Sequence, residues 1–321
     1  MTLIIAGYTF DPALDYTFSF DEAGSMSDPA PQPGTEKPPA RRETEPSGIF
    51  VAADSTITSG TETLLSGFRK IYPVAVKLWE PYFVGDFFRD YLQVRMETEI
   101  VVGFAGSTLT AQHCMNGLTE HLSKLRISCK PSQHGPIEYA VLMDCEPNPL
   151  HDAGMSWGND TFTSADANGL LTAEYISNVI LHCLKGSLSS ARKYKISPAG
   201  FQTLLTPFVA GIRCPATQRF HLYAFKMDSE TAANGMLQVR VEKQLVSKDT
   251  VAVLGLIKEF EADAQTAYAS ARASGNATEV AMFEFMNDAI DKVTGRGDKG
   301  IDRPAVLKVL GRNGLSITKR Q

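Results

Sequence analysis

No stretch of this 321-residue chain approaches the roughly 20 consecutive apolar residues that a membrane span requires. No basic region precedes its first apolar run either, so neither a spanning helix nor a secretory signal is expected. The five cysteines, Cys114, Cys129, Cys145, Cys183 and Cys214, form no CxxC pair, which excludes the usual structural zinc spacings and a disulfide framework. They read as reduced, mostly buried thiols of a cytoplasmic protein. His113 and His121 lie in a predicted helix without the HExxH spacing of a zinc protease. They read as core or surface histidines, and neither a metal nor a cofactor is expected. Basic residues are scattered, and Lys319-Arg320 is too short for a binding arm. With a net charge of −5 and a pI near 5.7, neither nucleic acid nor an anionic membrane is expected as the main partner. No internal repeat is evident.

Hydrophobic residues make up 43% of the chain and charged residues 21%, enough for a sizeable core. Residues 2–321 read as one domain. Strands are predicted over Thr2–Phe10, Ile49–Ala53, 68–78 and 99–105. Residues 21–48, rich in proline and poor in large apolar side chains, read as a loop that cannot offset its ordering entropy. The aromatic segment 79–95 and the turn-rich segment around 130–168 read as further insertions. A helix follows Gly106, with Leu109, Met115, Leu118 and Leu122 on one side and Ser107 or Thr108 as cap. A second helix fits Thr172–Lys193. Strands return at Pro207–Cys214, Arg219–Met227 and Met236–Leu245. Helices fit Thr250–Ala273 and Thr278–Val293, and a last strand fits Ala305–Leu310.

Four motifs stand in order along these elements. Thr2 heads the first strand and becomes N-terminal if Met1 is trimmed, which a small second residue favours. The second strand ends in Ala52-Ala53-Asp54-Ser55, followed by Thr58 and Gly60. Lys70 comes sixteen residues after Asp54, and Gly103-Phe104-Ala105-Gly106-Ser107 turns into the first helix. Together they resemble the proteasome β-subunit and HslV-like family of N-terminal nucleophile (Ntn) hydrolases. That family has an A-x-D-S-x-x-T-x-G turn, a catalytic lysine at this spacing and a short A-G-x motif before the first helix. The hairpin Phe208–Ile212 and His221–Phe225 also resembles the family's later hairpin. The larger insertions suggest a distinct bacterial proteasome-like branch.

The residue types suit that chemistry. An N-terminal threonine carries its own base, an α-amine with a reference pKa of about 8. A buried ammonium stabilises the developing alkoxide, the role the resemblance gives Lys70; a buried lysine needs a carboxylate, here Asp54. The Gly106 N–H is the candidate oxyanion donor. The family also orients its α-amine with a serine in the turn before the third helix and an aspartate before the last strand. Ser247 and Asp298 are the nearest matches, with Asp291 and Asp302 as alternatives to the latter. Lys248 follows the serine where the family has glycine, and Ile301 stands where it has a second serine.

The resemblance implies an α+β fold, a four-layer αββα Ntn-hydrolase sandwich of two antiparallel sheets between helical layers. It implies a cytoplasmic threonine protease acting on peptides or unfolded proteins through an acyl-enzyme on Thr2. It also implies a homo-oligomeric ring or spiral, with an ATP-dependent unfoldase as a possible partner. Two alternatives stay open: an amidase or transpeptidase whose narrow pocket is closed by the aromatic segment Trp79–Tyr91, and a non-catalytic assembly subunit.

Overall fold

The computed structural model describes residues 2–11, 45–59, 62–130, 138–151, 157, 162, 167–189, 197–231 and 235–320. Most of the expected loop at 21–48 and much of that at 130–168 lie outside these residues. Five strands, β1 (Leu3–Thr9), β2 (Gly48–Ala53), β12 (Ala252–Gly255), β13 (Val306–Gly311) and β14 (Gly314–Arg320), form one sheet in the order β12-β1-β2-β13-β14. A larger sheet has the order β11-β10-β9-β6-β5-β7-β8. Its strands are β5 (Ile71–Val84), β6 (Phe87–Phe104), β7 (Leu125–Lys130), β8 (Glu138–Leu142), β9 (Phe208–Arg213), β10 (Phe220–Thr231) and β11 (Leu237–Leu245). A small hairpin, β3 (Ile57–Ser59) and β4 (Glu62–Leu65), stands apart. The helices are α1 (Thr108–Ser123), α2 (Ala173–Ser189), α3 (Pro198–Gln202), α4 (Ile257–Ala273) and α5 (Thr278–Thr294).

The fold expected from the sequence is corrected here. In place of a four-layer αββα sandwich of two antiparallel sheets, the protein is strand-dominated, 42% strand against 30% helix, with a large curled mixed sheet. The mixing arises where β7 pairs parallel to β5, Leu78 facing Leu125. The dominance of strand has a clear source in residues 79–95, expected as an insertion. They continue β5 and β6 into a ribbon of 14 and 18 residues. At about 3.3 Å per residue, β5 runs about 46 Å, whereas the 16-residue α1 covers only about 24 Å. The ribbon's far end packs instead with Cys129, Leu150, Trp157 and Phe162 through Phe83, Phe88 and Tyr91.

β1 shows how the sequence builds the centre. All seven of its residues are buried, so its apolar run is continuous rather than alternating. Leu3 and Ile5 join a cluster with Phe260, Tyr268, Phe283 and Met286 of α4 and α5. Ile4, Ala6 and Tyr8 join one with Val101, Val209 and Leu222 of the larger sheet. A polar pin crosses that second cluster. The Tyr8 hydroxyl accepts from the Leu222 N–H at 2.9 Å and donates to the Val246 carbonyl at 3.1 Å. Tyr8→Phe strands both groups and is expected to cost about 1–3 kcal/mol in urea unfolding; no loss would remove the pin.

Two further elements depart from expectation. Residues 250–273 read as one helix, yet Ala252–Gly255 form strand β12 and the helix starts at Ile257. Leu109, expected on the packed side of α1, is 82% exposed, while Ala111 and Cys114 take the buried face. Ser107 does cap α1, its Oγ accepting the Thr110 N–H at 3.3 Å. No helix among the described residues is long and apolar enough to cross a membrane.

Candidate functional site

Thr2 lies just before β1, between the ends of both neighbouring strands. Leu3 pairs with Gly255 at the end of β12, and Ile4 pairs with Ala53 at the end of β2, so Asp54 falls opposite Leu3, one residue along from Thr2. The Thr2 carbonyl accepts the Leu256 N–H at 3.1 Å. Asp54 locks the start of β1, its Oδ1 accepting the Leu3 N–H at 2.9 Å. Lys70 arrives from the larger sheet, one residue before β5. Its Nζ donates to Asp54 Oδ2 at 2.7 Å and to Thr2 Oγ1 at 3.1 Å.

All three side chains are withdrawn from water: Thr2 is 7% exposed, Asp54 1% and Lys70 4%. Burial drives Lys70 below the ordinary lysine range, opposed by the charge and hydrogen bond of Asp54. Burial likewise pushes the Asp54 carboxyl upward, opposed by Lys70 and by the N–H groups of Leu3 and Thr56. Asp54 Oδ2 accepts the Thr56 N–H at 3.1 Å, so three donors converge on this carboxylate. Such a pair is held by geometry rather than by net Coulomb gain.

The group opens onto a cavity of about 690 Å³. Thr2 and Lys70 form part of its wall with Phe104, Gly106, Leu205 and Leu256. Gly106 sits at the end of β6 with φ +128, a conformation L side chains rarely adopt. A Cβ there would stand 3.0 Å from the Leu205 carbonyl. The turn is held by Ala105 N–H to Pro207 O at 3.1 Å and Ser107 N–H to Thr206 Oγ1 at 3.2 Å.

Gly255 constrains Thr2 even more. Its φ is +86, and a Cβ would fall 1.8 Å from the Thr2 carbonyl oxygen. Gly255→Ala is therefore expected to displace Thr2. Gly67 is the control, with φ +77 but nothing within 4 Å of its Cβ position. Gly67→Ala should cost only strain, about 1–3 kcal/mol. Gly255→Ala should cost clearly more by thermal melting, and equal losses would mean that Thr2 does not depend on this contact.

Four of the six residues singled out in the sequence thus meet here: Thr2, Asp54, Lys70 and Gly106. Ser247 and Asp298 do not line the cavity. Ser247 is exposed, and its Oγ accepts the Asp249 N–H at 3.3 Å. Because β12 intervenes, the turn into the third long helix is Gly255-Leu256 and contains no serine. Asp298 folds onto its own loop, accepting the Gly300 N–H at 2.8 Å. Of its alternatives, Asp291 forms a two-pronged pair with Arg303 at 2.5 and 3.0 Å, and Asp302 accepts the Arg303 N–H. This loop instead buttresses the Asp54 turn, the Asp302 and Pro304 carbonyls accepting from the Thr56 and Ser55 hydroxyls.

The aromatic segment Trp79–Tyr91 contributes nothing to the cavity wall either. Trp79 donates to Ser123 O at the end of α1 and Tyr91 to Ile127 O on β7. The sequence reading missed Leu256 and Gly255, hidden inside an apparent helix, and Ser55 and Thr56 as anchors of the turn. A glycine breaking that apparent helix, at Gly255, was the available signal. No family model matches the chain, and no curated protein matches it.

Proposed function

We propose that this chain is a threonine-type N-terminal nucleophile hydrolase that cleaves peptide bonds through an acyl-enzyme on Thr2 after Met1 is removed. One observation carries the reading: a buried lysine, fixed by a buried aspartate, donates to the hydroxyl of Thr2 at the wall of a cavity. An ammonium has only donors to offer, so Lys70 stabilises negative charge on Thr2 Oγ rather than taking its proton. The α-amine of the mature Thr2 is then the base. The hydroxyl adds to the substrate carbonyl carbon as its proton passes to that amine. The resulting oxyanion meets the Gly106 N–H. Collapse breaks the C–N bond, the amine product leaves with the proton, and water hydrolyses the ester to regenerate Thr2.

Ser247 and Asp298 have no part in this scheme. Leu64, Leu205 and Leu256, which line the same cavity as Thr2, suit a substrate that presents an apolar residue near the scissile bond.

Intact mass of the purified chain before and after a threonine-directed epoxyketone or β-lactone tests the reading. The expected result is loss of Met1 and one covalent adduct, absent in Thr2→Ala. Retention of Met1, or an adduct that survives in Thr2→Ala, overturns it.

A further inference from the structure

Three residues outside this site converge on one point. His121 stands in the last turn of α1, His182 lies on α2, and Cys145 lies in the turn after β8. One ligand atom from each lies within 4.8 Å of the other two. Cys145 Sγ is 3.6 Å from His182 Nε2. The two imidazoles meet edge to face with centroids 5.6 Å apart.

A hydrogen bond between the thiol and His182 would account for that pair alone. It leaves His121 unexplained, whose Nδ1 is buried with no hydrogen-bond partner among the described residues. A buried imidazole nitrogen without a partner is rare, and a cation bound at Nδ1 itself would supply the missing partner.

We propose that His121, Cys145 and His182 bind one zinc-class divalent cation, with water as the fourth ligand of a tetrahedron. The distances suit this chemistry. Zinc bonds of about 2.3 Å to sulfur and 2.0–2.1 Å to nitrogen give a tetrahedral S···N edge of roughly 3.6 Å. The Cys145–His182 separation already equals that edge. The other two separations, each within 4.8 Å, would have to shorten to the corresponding edges by side-chain rotation when the cation binds. Two imidazoles and a thiolate select borderline metals such as zinc over magnesium or calcium.

The support is preorganised. Arg126 donates to the Met143 and Asp144 carbonyls at 3.2 and 3.1 Å, and Glu146 accepts the Met143 N–H at 2.6 Å, so the turn bearing Cys145 is tied down on both sides. The two histidines ride on helices joined by a common apolar cluster through Cys114, Leu118, Ile180 and Leu184. The cation would clip three elements together at the surface. It reverses the expectation of no metal, which rested on the spacing of the cysteines and of His113 and His121 along the chain and did not consider His182.

Titration of the reduced, untagged chain with Co2+ tests the site. The expected result is one equivalent bound with Kd below about 1 µM, with thiolate-to-cobalt charge transfer and tetrahedral d–d absorption, displaced by Zn2+. Cys145→Ser should abolish the charge-transfer band, and His182→Asn should weaken binding at least about tenfold. Zn2+ should also raise the melting temperature of the wild type but not of Cys145→Ser. This second readout compares each protein with itself, so it survives a change in the variant's basal stability. A cobalt spectrum without thiolate charge transfer, binding unchanged in Cys145→Ser, or no one-equivalent complex overturns the site.

Discussion

Thr2→Ala is expected to lower kcat on a cleavable peptide by about 10⁴ or more, close to the loss seen when a hydrolase nucleophile is removed. Stability should barely change. The variant loses one hydrogen bond from Lys70, worth about 1 kcal/mol, while the Lys70–Asp54 contact persists. Alanine also leaves Met1 removable, so the α-amine is still exposed. Thr2→Ser keeps both hydroxyl and amine and should retain measurable turnover. The check is kcat together with a melting curve for all three proteins. Activity that persists in Thr2→Ala, or a collapse in stability that explains the lost rate, would sink the proposed role.

The second large effect concerns the buried pair. Lys70→Met leaves a carboxylate without its cation, and Asp54→Asn leaves an ammonium without its anion. Each is expected to destabilise the fold by about 3–5 kcal/mol. The double variant should cost less than the sum by about 2 kcal/mol or more, because neither charge is then stranded. It still leaves one of the Leu3 and Thr56 N–H groups short of an acceptor, so full recovery is not expected. Strict additivity in urea unfolding would mean that the two side chains are not coupled.

The same pair sets a pH dependence. Lys70 is lowered by burial, so its ammonium is lost as pH rises through a value below 10.5, and the rate should fall there. Asp54 is raised by burial, so it protonates as pH falls through a value above 3.8. For stability the signs run the other way. The raised Asp54 contributes stability below 3.8 that is lost as pH rises through its folded value. The lowered Lys70 contributes stability above 10.5 that is lost as pH falls through its folded value. The pair is therefore least favourable between those limits, where the proposed chemistry needs it charged. A melting profile of wild type against the double variant should show the smallest wild-type advantage in that middle range.

Much of the site was legible in the chain because short motifs carry it. A threonine at position 2, the Asp54-Ser55 strand end, Lys70 and the Gly106 turn are local signals, each readable within a few residues. The central strands were legible for a similar reason, since β1 and β2 are unbroken apolar runs. Residues 252–255 were not legible: the apolar run Val251-Ala252-Val253-Leu254 fits a buried strand or a buried helix equally well, and pairing with β1 decides between them. That one strand moved the helix start and left Ser247 outside the site. Residues 79–95 were misread because their irregular, bulged pairing breaks strict alternation.

By itself the sequence determined which residues could do chemistry and which runs had to be buried. Side-chain type and local periodicity are properties of neighbours along the chain. Tertiary structure alone decided which of those residues meet. Lys70 reaches Thr2 across 68 positions because two sheets pack against each other, and Gly255 underlies Thr2 because β12 pairs with β1. His121, Cys145 and His182 show no metal-binding spacing in the chain, and come together only through the packing of two helices and a turn. Convergence over such separations depends on strand order and packing, which no short window of sequence contains.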